Sequence, residues 1–266
     1  MSILDSTPGL LEALRGEMTP KFLATRNAEG KPNVVPCVSI LPADDQPDTL
    51  FFGNFLLRKS IQNIEEDKRL SVLVITEDLK GWILKGDFVE FQRTGPYVDI
   101  QMNNNLLRYN AYTGIRNAGI IHLNSIVGEF SISKLQVLRD YLMARLYTQR
   151  QHTDGNAVVK LPLPVQREFA RIIAVKVLAW TGVSGYPHII PALSLQPSSD
   201  CHLVCWFGQT QLPIPPAGIR VASNILTFEA ISYQVKGNWV PFSKGGNIQI
   251  QEIYAGGPPY PGGRVA

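Results

Sequence analysis

The stretch Gly30–Pro42, GKPNVVPCVSILP, comes back at Gly185–Pro197 as GYPHIIPALSLQP. A glycine, two prolines, a β-branched pair, the serine and the closing proline all recur 155 residues later. At the same offset Phe52-Gly53-Asn54 meets Phe207-Gly208-Gln209; farther on, at an offset of 151, GWILKG ending at Gly86 meets SYQVKG ending at Gly237. Order and spacing held over about fifty residues exceed what unrelated strands share. The chain therefore reads as two related halves, 1–150 and 151–255. The Gly/Pro-rich tail, AGGPPYPGGRVA, is expected to be loosely held.

Working outward, residues 8–15 read as a short helix with Thr7 as cap and Pro8 in its first position. Phe22–Arg26 and Val34–Leu41 read as strands joined by the turn Asn27-Ala28-Glu29-Gly30. Leu50–Phe52 is a third strand, and Arg58–Glu66 a helix. Leu70–Ile75 is a continuous apolar run, Trp82–Phe91 alternates, and a strand is expected near Ile126–Ile132. Leu135, Leu138, Leu142 and Leu146 give Lys134–Thr148 helical spacing.

Thr49–Ile64, TLFFGNFLLRKSIQNI, carries the chemistry. A strand runs into Gly53-Asn54, and Arg58, Lys59 and Ser60 fall where the helix begins. A helix start offers free N–H groups and the positive end of the macrodipole, so a guanidinium, an ammonium and a hydroxyl there suit a phosphate. The plainer alternative is two solvated charges on a surface helix. The second half reads TQLPIPPAG at this place, with three prolines and no base, so one phosphate-type site per chain is expected.

The 266 residues carry a formal charge of +3, with 45% hydrophobic and 18% charged residues. That composition fits a folded chain and gives no argument for nucleic acid. No apolar run is long enough to cross a bilayer, and the first residues, MSILDSTPGLLEAL, are unlike a signal peptide. Three cysteines make no disulfide framework, so a cytoplasmic location is expected. Cys201 and Cys205 are either two packed thiols or a redox pair. The four histidines have no metal-ligand spacing, and the dinucleotide, P-loop and nucleophile-elbow fingerprints are absent.

The order ATRNAEGKPNVVP, CVSI, LFFGNFLLRKSIQNI, LSVLVIT, GWILKG resembles the flavin-binding split-barrel superfamily that includes pyridoxamine 5′-phosphate oxidase. The likeness runs from Phe22 to Phe91 and, more weakly, from Ala174 to Val240. It implies a mainly β fold of two fused split-barrel halves, mostly antiparallel, with peripheral helices. It also implies FMN as cofactor and oxidoreduction as activity. Pro36, Val38 and Ser39 would lie along the flavin, and Phe52, Gly53 and Asn54 beside its ring and ribityl chain. Arg58, Lys59 and Ser60 would hold the phosphate, with Asn63 reaching back. From the residues alone, Ser39 can equally be an alternating strand position, Asn54 a turn residue and Phe52 core.

Family members dimerise to complete the site, so the tandem implies a pseudo-dimer in one chain, open to further pairing as a homodimer. His188, Trp206 and Tyr233 would then approach from the far side, unless they are ordinary packing or surface positions; Arg108, Tyr109, Tyr112 and Arg116 form either a lid for a small-molecule substrate or a helix packing its tyrosines against the barrel. NAD(P)H is the implied reductant. The ending GGRVA lacks the arginine-proline pattern of the true vitamin oxidases, which turns the expectation toward a flavin-reductase-like enzyme. The alternatives are a non-catalytic FMN carrier or redox sensor, or a split barrel that takes haem or a deazaflavin.

Overall fold

The computed structural model describes residues 2–55, 57–104, 115–148, 159–208, 211–256 and 262–266. The first half folds as β1 (Lys21–Arg26), β2 (Pro32–Pro36), β3 (Leu41–Pro42), β4 (Thr49–Gly53), β5 (Arg69–Ile75), β6 (Lys80–Gln92) and β7 (Ala118–Ser131). The second supplies β8 (Val175–Thr181), β9 (Pro187–Pro191), β10 (Gln196–Pro197), β11 (His202–Trp206), β12 (Arg220–Leu226), β13 (Ser232–Phe242) and β14 (Gly245–Ala255). Five described helices accompany them: α1 (Leu10–Arg15), α2 (Arg58–Glu66), α3 (Pro96–Met102), α4 (Lys134–Thr148) and α5 (Leu163–Phe169).

The two sheets have one topology. The first runs β2-β1-β5-β6-β7-β4-β3, and the second, read from its far edge, β9-β8-β12-β13-β14-β11-β10. Every pairing is antiparallel. Each element therefore has its mate in the same place, and the architecture is two split β-barrel halves. The shared details extend to single residues. Gly30 and Gly185 both take φ 80° in the first hairpin, where a side chain would be strained. Bulges fall at Lys85/Gly86 and Lys236/Gly237, the ends of the repeated GWILKG and SYQVKG.

Side-chain alternation divides β1, β5 and β6 between two cores. Phe22, Ala24, Leu73, Ile75 and Ile83 join a core shared with the second half, alongside Val177, Ala179, Val221, Val235 and Trp239. Leu23, Leu70, Val72, Val74, Trp82 and Leu84 turn to the other face and close a core under α1 and α2. Burial on both faces is why β5 reads as an unbroken apolar run.

The seam between the halves is reciprocal. Thr181 Oγ1 donates to Gly30 O at 2.7 Å, and Arg26, its mate 155 residues earlier, donates to Gly185 O at 3.3 Å. Ser71 Oγ donates to Pro187 O at 2.6 Å, while Lys236 Nζ donates to Pro32 O at 2.8 Å. The side-chain amides of Asn224 and Gln234 both donate to Val34 O.

Several elements depart from the sequence reading. The first helix starts at Leu10 rather than residue 8, because Gly9 takes φ 78° and breaks the turn; Thr7 Oγ1 donates back to Ile3 O and caps nothing. The strand expected over Val34–Leu41 stops at Pro36, because Cys37–Ile40 closes a turn with Ile40 N–H on Cys37 O at 3.2 Å. The strand expected near Ile126–Ile132 begins earlier, at Ala118. The described end of the tail is not loose: Ile253 N–H donates to Ala266 O and Ala255 N–H to Gly263 O, tying 262–266 to β14. Helix α4 forms as read, yet Leu135, Leu138, Leu142 and Leu146 all face outward, 46–75% exposed. Among the described residues no helix is long and apolar enough to cross a membrane.

The bulge glycines have no room for a side chain. A Cβ at Gly237 would collide with the carbonyl of Gln249, and one at Gly86 would collide with that of His122. Gly86→Ala and Gly237→Ala should each destabilise the chain by about 1–3 kcal/mol in urea unfolding, the usual cost of overpacking.

Candidate functional site

Helix α2 is built to present its start. Its buried face, Ser60, Asn63 and Ile64, is spaced i, i+3, i+4, and its polar members are pinned to the strands below. Asn63 Nδ2 donates to Thr25 Oγ1 at 3.1 Å, and Asn33 Nδ2 donates to Ser60 Oγ at 3.0 Å. These side chains are almost wholly buried, so Ser60 and Asn63 fix the helix from within. Arg58 is exposed, without an ion pair among the described residues, and Lys59 is partly buried. The first turn has neither a side-chain cap nor an acid, which leaves its N–H groups and dipole uncompensated.

The second half closes this site with residues the sequence reading did not name. Lys59 Nζ donates to Tyr254 Oη at 3.1 Å and stands 4.3 Å from the centre of that ring. Tyr254 Oη donates to Glu252 Oε2 at 2.7 Å, and the other carboxylate oxygen takes Arg220 at 2.5 Å. Lys236, 3% exposed, donates to Asn33 Oδ1 at 3.0 Å as well as to Pro32 O. A continuous polar chain thus links Lys236, Asn33 and Ser60. Three bases, Lys59, Lys236 and Arg220, meet one acid, Glu252, and Arg58 adds a fourth base one residue from Lys59, so the cluster has room for an anion. Burial, with Lys59 beside it, pulls the Lys236 ammonium down to about 6. Lys236 was visible as the repeat mate of Lys85. Nothing in the sequence announced Tyr254 or Glu252.

The expected flavin edge is assembled but covered. Ser39 Oγ accepts the Gly53 N–H at 3.2 Å, Gln101 Nε2 donates to Ser39 O at 2.7 Å, and Asn54 N–H donates to Asn117 O at 2.9 Å. A Cβ on Gly53 would lie 3.1 Å from Gln101 Oε1 and 3.3 Å from Ile115 Cδ1, so α3 and its following segment already fill that approach. Gln101 Oε1 is itself buried without a hydrogen-bond partner. Phe52 is wholly buried against Gly119 and Phe91, and Pro36 and Val38 are partly buried, with Val38 O accepting from Lys21 Nζ at 3.3 Å.

The far-side residues do not reach α2. His188 stacks on Trp180 at 5.1 Å, and burial holds its imidazole below the usual value. Tyr233 packs against the shared core, and Trp206 lies near Tyr147 and Phe242. Arg116 is exposed, whereas Arg108, Tyr109 and Tyr112 lie outside the described residues. Cys201 and Cys205 are free and buried; the first lies 3.1 Å from His202 Nδ1, the second 3.3 Å from Ser194 Oγ. Among the described residues no cluster of His, Cys, Asp and Glu could hold a metal ion.

No family model and no curated protein matches the chain. It is similar to several solved structures. An FMN-binding protein from Syntrophomonas wolfei is 16% identical with a TM-score of 0.39, over 50% of this chain and 88% of that one. HutZ, the heme storage protein from Vibrio cholerae, is 14% identical with a TM-score of 0.36, over 49% and 95%. A pyridoxamine 5′-phosphate oxidase-related, FMN-binding protein from Nostoc punctiforme is 12% identical with a TM-score of 0.31, over 71% and 92%.

Lys236 gives the site a pH signature. Its folded-state value of about 6 lies below the ordinary 10.5, so the unfolded chain binds the extra proton above pH 6. Stability must then rise with pH through that window, by up to about 1.4 kcal/mol per unit. Lys236→Met should flatten the rise between about pH 6 and 7, read from urea midpoints, where Lys176 and Lys21, pulled down to about 7 and 8 by burial, still hold their protons.

Proposed function

We propose that the chain binds FMN, with the phosphate at the start of α2, and works as an FMN-dependent oxidoreductase. The observation that carries this reading is the uncapped, acid-free first turn of α2, flanked by Arg58 and Lys59 and closed from the other half by Lys236 and Tyr254. The donor types fit a phosphate monoester: main-chain N–H groups, a guanidinium and an ammonium belong to one helix start, with the nearby carboxylate held by Arg220.

The ring end fits less well. Gln101 and Ile115 occupy the approach to Gly53 that the resemblance assigns to the flavin, so no step is routed through that edge. When bound, FMN would supply hydride or electron transfer. The chain's own contribution is binding and orientation. Ser60 and Asn63 hold the helix, Lys59, which rests on Tyr254, would bind the phosphate, and Lys236 would become a better cation with an anion beside it.

A second reading, a carrier or redox sensor that holds FMN without turnover, is favoured by that same cover over Gly53. The two part on one experiment. An enzyme's flavin is bleached anaerobically by NADH or NADPH and reoxidised by an acceptor, whereas a carrier's is not. The absorption spectrum of untreated protein, with mass identification of what is released, separates both from a haem or deazaflavin protein.

Lys59→Ala should weaken FMN binding by about 1.5–3 kcal/mol, roughly ten- to hundredfold in Kd by fluorescence titration. Unchanged affinity removes the phosphate from α2.

A further inference from the structure

A cavity of about 330 Å³ lies between β7 and α4 of the first half and the second sheet, and no α2 residue lines it among the described residues. Its floor is Pro191, Leu193, Ser194 and Phe207, the mates at 155 residues of Pro36, Val38, Ser39 and Phe52. The two copies have therefore parted at one place in the fold. Gln101 and Ile115 stand beside Gly53 in the first copy, and Asp140 and Arg139 stand beside its mate Gly208 in the second, where open space remains over the floor.

The walls give the cavity a chemical character. Phe130, from β7 of the first half, joins Trp206 and Phe207 to offer three aromatic surfaces, and Leu212 closes one side. The charged side chains in the lining are Glu129 and Asp140; no lysine, arginine or histidine lines it among the described residues. Asp140 is placed firmly, since its carboxylate covers Gly208, where φ is 51° and a Cβ would collide with it. Ser194 is already used, accepting the Trp206 N–H at 2.9 Å and donating to Trp206 O at 2.6 Å. Ser131, Gln136 and Gln211 add neutral polar groups, and the carboxylates supply the charge. Asp140 is 7% exposed; its partners are Gln136 and the neighbouring Arg139, the latter at 3.2 and 3.3 Å from Oδ1 on a side chain half open to solvent. Burial accordingly raises its carboxyl above the ordinary value.

We propose that this cavity binds a small planar aromatic cation, its ring between Phe130, Trp206 and Phe207 and its positive head on Asp140. The volume lies at the lower end of ligand pockets, which suits one ring or two fused rings and excludes a whole dinucleotide. Aromatic faces attract a cation, and a partly desolvated carboxylate binds one more strongly than an exposed carboxylate does. A phosphate is disfavoured here by the same two acids. The cavity and the α2 cluster thus select opposite charges, and this proposal does not depend on FMN.

Benzamidine and benzoate test it directly, because they share a ring and a planar head and differ in charge. Benzamidinium should bind the full chain, read as a change in tryptophan fluorescence that Trp206→Phe removes, with benzoate about tenfold weaker or more. Asp140→Asn should abolish that preference, and Leu212→Trp should block binding by filling the cavity; circular dichroism confirms that each variant folds. Equal binding of the two probes, no binding of either at millimolar concentration, or benzamidinium binding that survives both variants overturns the proposal. Saturation with FMN separates the two sites. Unchanged benzamidinium affinity supports the proposal, and loss of it makes the cavity the flavin's own and ends the proposal. A chain that binds no FMN leaves the benzamidinium result to stand by itself.

Discussion

An edge strand exposes a row of unpaired carbonyls and N–H groups, and each half of this chain has such an edge in β2 or β9. The molecule resolves the problem by crossing them. The outer carbonyls of Pro32 and Val34 are taken by Lys236, Asn224 and Gln234, and that of Pro187 by Ser71. Beneath these bonds Phe22, Val34, Leu73 and Ile83 sink into the same core as Val177, Val221 and Trp239. The seam therefore belongs to both halves, and the site at α2 exists because the seam brings β13 and β14 against it.

Around this symmetric frame the two copies differ in what the connections carry. The first copy joins its fourth and fifth strands through α2, with its free first turn; the second crosses the same gap through a segment with three prolines and, among the described residues, no helix. The first inserts α3 between its sixth and seventh strands, which places Gln101 over Ser39 and Gly53. The second makes that connection in a turn at Ser243-Lys244 and receives α4 from its neighbour instead. Frame and chemistry are thus separable: strand order is common to both copies, while charge and open space are not.

Much of this was legible in the sequence because it is local or repeated. The bounds of α2 and α4 follow from helical spacing, and the offset of 155 residues announces the common topology. What escaped is what the fold imports. Val34–Leu41 keeps a strand-like composition past the point where Cys37–Ile40 turns, and Pro8-Gly9 looks like a helix start until Gly9 adopts φ 78°. The leucines of α4 reveal a helix but not which side of it is covered. Tyr254 and Glu252 stand nearly two hundred residues from Lys59, and no local pattern ties them to it. Gln101 meets Ser39 across 62 residues of sequence, and no local pattern ties the two.

Covalent fusion has a consequence for how such a seam behaves. Two separate chains part on dilution, and any substitution in them appears twice, once on each side of the axis. Here the tether keeps the partners at a fixed high local concentration, so the interface persists in a single molecule. A substitution touches one side alone. Lys236 could become a buried base beside Asn33 while its counterpart Lys85 stayed at a tyrosine ring, an inequality that a true homodimer cannot encode.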